Sequence, residues 1–227
     1  MKIFHRNKEA SDPAIVIPSC LKFLLNRITD DLEREEYNWD KPWGVKRFES
    51  IVLAKFIMDY SFEGVFSNIL SEDERSSYYN LSNSSFSDIF NEEFSEIGMN
   101  YEDMQEVINK KINKYFIARK ENHHPHECYY EIFTHLTGEK NRKELEEELR
   151  KKECGLELMH TNKDFESMIP QYKSKIKYLE EKIAAFDLAE IMIPHMIRAT
   201  RQKLRILNTR KIKSLSKKLS KESSSNG

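Results

Sequence analysis

The chain is poor in the residues that break regular structure: only six glycines and six prolines occur among 227 positions. With charged residues at 33 % of the total, that is the composition of a helical protein. Cysteine is equally scarce. Cys20, Cys128 and Cys154 are odd in number and share no short spacing, so they offer no disulfide framework and fit a reducing compartment. Long apolar runs are missing too. The richest one, from Ile51 to Met58, contains Lys55 and is far shorter than the ~20 residues that span a bilayer. The N-terminal segment turns polar after Ile3 and Phe4, without the apolar core of a secretory signal. These absences together lead us to expect a soluble, cytoplasmic protein.

Aromatic residues, by contrast, are plentiful. Thirteen Phe and ten Tyr supply large surfaces for burial and argue against disorder. Charge is unevenly placed. From Met196 onward ten basic residues face a single acid, Glu222, a surplus of nine that leaves residues 1–195 at −10 for a chain whose net charge is −1. An acidic body with a basic end can bind itself or reach an acidic partner.

Apolar spacing predicts helices throughout. Pro18 and Ser19 read as a helix start, followed by the stripe Leu21, Leu24, Leu25, Ile28, Leu32. A second helix runs from about Val45, with Phe48, Ile51, Val52 and Phe56 inward, and continues towards Leu70. Residues 71–88, rich in Ser and Asn, read as a loop. A short helix carries Phe90, Phe94 and Ile97 and stops at Gly98; Asn100 caps the next, whose stripe is Met104, Ile108, Ile112, Tyr115 and Phe116. His124-Pro125 interrupts it. Tyr129 to Leu136 is helical and closed by Gly138, and Glu139 to Lys152 reads as a solvated excursion. A core helix with Tyr172, Ile176, Leu179, Ile183, Phe186 and Ile193 breaks at Pro194. The expectation is an all-α, irregular multi-helix bundle over residues 1–201. A basic amphipathic helical tail over 202–227 follows it, with disorder from Ser223.

The densest chemistry lies in Asn122-His123-His124-Pro125-His126-Glu127-Cys128. Imidazole and thiolate suit zinc or another divalent metal, so His123, His124, His126 and Cys128 are the candidate metal ligands. A structural zinc site needs a second ligand pair, and Cys154 and His160 are the nearest candidates without a recognised spacing; the competing reading is a polar turn of locally hydrogen-bonded imidazoles, with no cofactor. Two Glu-x-x-His pairs, Glu121/His124 and Glu157/His160, have the spacing of carboxylate-bridged di-iron bundles, but Pro125 would distort the first. Arg119 and His124 are the candidate catalytic pair. Their Arg-x4-His spacing resembles the motif of HEPN-type ribonucleases, which implies phosphate binding by Arg119 and acid–base work by His124 without a metal.

Three segments stand out in order: Tyr79-Asn80-Leu81-Ser82-Asn83, Glu121-Asn122-His123-His124-Pro125-His126-Glu127, and Asp187-Leu188-Ala189-Glu190-Ile191-Met192-Ile193-Pro194-His195. Together they resemble a phage and large-DNA-virus family of small helical HD-like proteins. The likeness spans about residues 50 to 201. It implies a degenerate HD-like core, because Tyr79-Asn80 stands where the family has its His-Asp pair and Pro194 stands at the distal Asp. HD chemistry needs imidazole and carboxylate together on the metal.

The basic end is the other candidate surface, through Arg201, Lys203, Arg205, Arg210, Lys211, Lys213, Lys217 and Lys218. Such a helix can take a protein partner, a phosphate backbone or an anionic membrane; aromatics end at Phe186, which disfavours base stacking there. We therefore expect a non-enzymatic binding or adaptor protein, of viral or mobile-element origin as the resemblance implies. The alternative is a phosphohydrolase, either metal-dependent and HD-like or metal-independent and HEPN-like.

Overall fold

The computed structural model describes residues 11–34, 41–121, 125–138, 140–161, 163–207 and 209–214. Seven α-helices carry these residues: α1 Pro13–Leu32, α2 Trp43–Phe66, α3 Glu72–Phe94, α4 Tyr101–Glu121, α5 Pro125–Thr137, α6 Arg142–His160 and α7 Ile169–Leu204. Two 3-10 turns, Ser95–Ile97 and Lys163–Met168, complete them, and no strand occurs among the described residues. The all-α bundle expected from composition is what the chain forms. By packing it divides into two compact units. The first comprises Met1–Ile28, Ser50–Ile112 and Pro194–Gly227, and the second Thr29–Glu49 and Asn113–Ile193.

The first unit is organised by α2. Ile51, Val52, Leu53, Ala54, Phe56, Ile57, Met58 and Phe62 are all buried, which leaves that helix without a solvent face over three turns. Two charges fall in the same stretch, Lys55 and Asp59, both under 10 % exposed. Their i,i+4 spacing puts them on one side of the helix, and Lys55 Nζ donates to Asp59 Oδ2 at 2.5 Å. α3 completes the network. Ser82 donates to Asp59 Oδ1 at 3.4 Å, Tyr79 donates to Glu63 at 2.5 Å, and Arg75 reaches the same carboxylate at 3.3 Å. Tyr78 lies flat on Phe62, with centroids 3.3 Å apart and planes within 3°. Burial raises Asp59 above the ordinary carboxylate range, although Lys55 pulls the other way.

Residues 71–88 are helix, not loop. Ser71 is an N-cap with a full capping box: its hydroxyl accepts from Glu74 N–H while Glu74 accepts from Ser71 N–H at 2.9 Å. The acids Glu72, Asp73 and Glu74 fill the first turn, where the helix dipole favours them. The serines that suggested a loop lie inward at Ser77, Ser82 and Ser85 among Tyr78, Phe86, Ile89 and Phe90. Their small size admits close packing, and their hydroxyls bond Asp73 O and Asp59.

Two other boundaries move for proline reasons. α1 starts at Pro13, not Ser19. Asp12 caps it by accepting from Ala14 N–H, Pro13 takes the first-turn position that needs no N–H, and the helix runs through Pro18 with Ile17 fully buried. α7 likewise continues through Pro194 to Leu204, with Ile193, Met196 and Ile197 buried on either side. Gly98 and Gly138 stop their helices in the left-handed region, at φ 72° and 67°, as expected. Asn100 Oδ1 accepts from Asp103 N–H at 2.9 Å and caps α4.

The second unit packs Phe133 and Tyr130 of α5 edge-on against Phe186 of α7, at 5.0 and 6.0 Å between centroids. Tyr130 donates to Glu190 at 2.7 Å, and burial together with that carboxylate pushes its hydroxyl up to about 12. α6 follows a second capping box at Asn141 and Glu144 and buries only Leu145, as a helix solvated on most sides does.

The Lys55–Asp59 pair gives a stability test. Replacing Asp59 with Ala strands a buried ammonium and should cost about 3–5 kcal/mol. A double replacement, Lys55→Met with Asp59→Leu, should recover most of that loss, as read by urea denaturation of the three variants beside wild type.

Candidate functional site

The histidine segment falls largely outside the description. His123, His124, and the side chain of His126 lie outside the described residues, and so do Lys217 and Lys218. Cys128 and Arg119, which flank the segment, are described. Cys128 is fully buried, and burial pushes its thiol up to about 11, against the opposing pull of the hydrogen-bonded Arg119. A thiol so placed is neutral near pH 7. Among the described residues no group of three His, Cys, Asp or Glu side chains is gathered as a metal site. Glu157 and His160, the second di-iron pair, both lie exposed on α6.

The cations of the basic end are described up to Lys213, all within the first unit. Leu204, Leu207 and Ile212 are buried, and a helical stretch over 209–214 follows the turn at 205–207. Arg201 lies 5.3 Å from the Tyr60 ring centroid, and its guanidinium fills the space that a side chain at Gly64 would need, since a Cβ there would sit 2.6 Å from Nη2. Lys203 Nζ sits over the Phe23 ring at 3.2 Å. Lys211 pairs with Asp12 and Lys213 with Glu74, at 3.6 Å for the latter. Arg205 and Arg210 are exposed. Hydrogen bonding to Lys211 holds Asp12 below the usual carboxylate range, and Glu74 is lowered mainly by the Ser71 backbone, with Lys213 adding to it.

The second unit holds a cavity of about 670 Å³ lined by Lys152, Gln171, Tyr172, Ser174, Lys175 and Tyr178. Its size falls in the range of small-molecule sites, roughly 300–1,000 Å³. Gln171, Ser174, Lys175 and Tyr178 are spaced i, i+3, i+4, i+7, so α7 presents them along one stripe. Tyr172 beside them turns onto α6, where Gly155 makes room for its ring: a Cβ there would come within 3.1 Å of Tyr172 Cε1. Lys152 reaches across from α6 and lies 4.7 Å from the Tyr172 centroid. Lys175 and the buried Lys182 lie 5.1 and 5.5 Å from that of Tyr178. The first ten residues of α7, Ile169 to Tyr178, hold three lysines and no acid. That run of lysines with Tyr172 and Tyr178 was the signal in the sequence, hidden because Tyr172 also fits a core stripe.

A second cavity of about 380 Å³ is bordered by Glu127, Tyr130, Glu131, Thr134, His135 and Arg142, among others. Its polar groups are paired: His135 Nε2 lies 3.6 Å from Glu131, and Arg142 bonds Glu146 at 2.6 Å and Asp187 at 3.1 Å.

Compared with protein-family models, with curated proteins and with solved structures, the chain matches none.

Two measurements follow from these environments. Iodoacetamide at pH 7 should label Cys154, which is exposed, well before the buried Cys20 and Cys128, as peptide mass mapping would show. A carboxylate with a lowered folded-state pKa stabilises the fold above its unfolded value of 3.8 and loses that contribution as pH falls through the folded value. Acidification from about pH 5 to pH 3 should therefore release residues 209–214 before α2. Amide exchange, corrected for its intrinsic pH dependence, reads this directly.

Proposed function

We propose that this chain is a non-catalytic helical binding or adaptor protein that recognises a negatively charged partner. The observation that carries the reading is the lining of the α6–α7 cavity, which combines lysine ammonium groups with hydroxyl and amide donors on an open surface. Two polar groups that burial raises support it from the other side. Asp59 and Tyr78 are sealed in the core of the first unit, where no substrate reaches them. The resemblance of three segments to an HD-like family supports the same reading, because it implies Tyr79 at the position of a metal-binding histidine, and the Tyr79 hydroxyl donates to Glu63.

The reading is tested by incubating the full chain with RNA and with nucleoside triphosphates, with zinc, with manganese and without metal. No turnover is expected under any of the three conditions. Turnover that disappears in His124→Ala would overturn the proposal in favour of a phosphohydrolase. A deletion that probes the basic end should remove residues 215–227 only, because cutting at 203 also removes the buried Leu204, Leu207 and Ile212.

A further inference from the structure

We propose that the α6–α7 cavity binds a small phosphate-bearing ligand of nucleotide size, its phosphate groups held between Lys152 and Lys175. This rests on the reading of the chain as a binding protein and names the ligand class of that surface.

The argument begins with how the two lysines are held. Elsewhere on or just before these helices lysines close onto carboxylates: Lys140 onto Glu148 at 2.7 Å, Lys151 onto Glu147 at 2.6 Å, Lys177 onto Glu181 at 3.8 Å. Lys152 and Lys175 instead rest against tyrosine rings, and neither forms an ion pair among the described residues. A ring face steadies an ammonium through its quadrupole without cancelling its charge. The positive charge thus remains available to an incoming anion. Glu148 is a carboxylate in electrostatic range of both lysines, and it accepts a hydrogen bond from Lys140. With Glu148 already bonded to Lys140, the charges of Lys152 and Lys175 keep a positive surplus.

The chemistry of the lining narrows the class further. Lysine is a point charge with three donors that suits the tetrahedral array of phosphate oxygens, whereas bidentate carboxylate recognition favours arginine. Ser174, Gln171 and the Tyr178 hydroxyl add neutral donors on the same stripe of α7, and Tyr172 borders the cavity beside it. Gln171 lies in the first turn of that helix, where the backbone dipole favours negative charge. A cavity of about 670 Å³ is far larger than a single inorganic ion needs and accommodates a phosphate chain with an attached ring system.

The test is calorimetric titration of the full chain, without divalent metal and at low ionic strength, with inorganic pyrophosphate, ATP and citrate. Pyrophosphate and ATP should bind at one site per chain, and the affinity should fall as salt is added. Lys152→Ala and Lys175→Ala should each weaken binding roughly tenfold, the loss of one charged hydrogen-bonding partner. Lys151→Ala, next to the site but paired with Glu147, should bind as wild type does. No heat with either phosphate compound, equal affinity for citrate, or lysine variants indistinguishable from wild type would each overturn the assignment. Release of ADP during the ATP titration is measured in parallel. Hydrolysis would refute the binding-protein reading itself, whereas an absence of both binding and hydrolysis would sink only this ligand assignment.

Discussion

The first unit is built round a constraint set by α2. A helix buried on every side must either be apolar throughout or neutralise its polar residues internally. α2 takes the second course, pairing Lys55 with Asp59 one turn apart. Burial still costs the pair: Asp59 stays raised in spite of its cation, because taking a carboxylate out of water outweighs what one ammonium returns. Ser82 makes the difference structural. Its bond to Asp59 requires α3 to sit in one register on α2, and the neighbouring contacts of Tyr78 with Phe62 and of Tyr79 with Glu63 repeat the same register one residue at a time. A purely apolar seam would tolerate sliding; this seam has a polar key.

That key explains why α3 was the hardest helix to read in the sequence. Serine and asparagine in quantity signal a loop when they are solvated, because they compete with the backbone for hydrogen bonds. Here Ser77 and Ser82 spend their hydroxyls on Asp73 O and Asp59, inside the unit, so the composition misleads while the capping box at Ser71 and Glu74 does not. Where burial follows apolar spacing, the sequence was sufficient: Leu21, Leu24, Leu25, Ile28 and Leu32 are all buried as one stripe. Where a proline stood inside a stripe, at Pro18 and Pro194, local chemistry gave the wrong boundary. Packing on both sides of each ring outweighs one missing backbone hydrogen bond.

The basic end shows a similar displacement of meaning. As a string, residues 202–227 read as a basic amphipathic helical tail that could meet its own acidic body or an acidic partner. In the structure hydrophobic anchors at Leu204, Leu207 and Ile212 hold it down, and Lys211 and Lys213 find Asp12 and Glu74. The charge asymmetry between body and end is thus partly spent within the first unit, on contacts between residues roughly 140 to 200 positions apart in sequence. Arginine and lysine stems also cover aromatic faces there, at Tyr60 and Phe23, so that part of their contribution is apolar.

Cations over aromatic rings occur in both units, and their surroundings decide what they can do. Arg201 is wedged against Gly64, with a ring on one side and a helix backbone on the other, a position that fixes it as packing. Lys152 and Lys175 sit over rings and line an open cavity. The same interaction therefore serves as mortar in one place and as a mount in the other. What separates the two is whether the far side of the cation meets protein or water, and charge counts along a sequence carry no information about that. Gly155 lets Tyr172 close on α6, where a Cβ would stand 3.1 Å from its Cε1. A single glycine in a helix, ordinarily a cost of about 1 kcal/mol relative to alanine, here leaves room for a ring that borders the cavity.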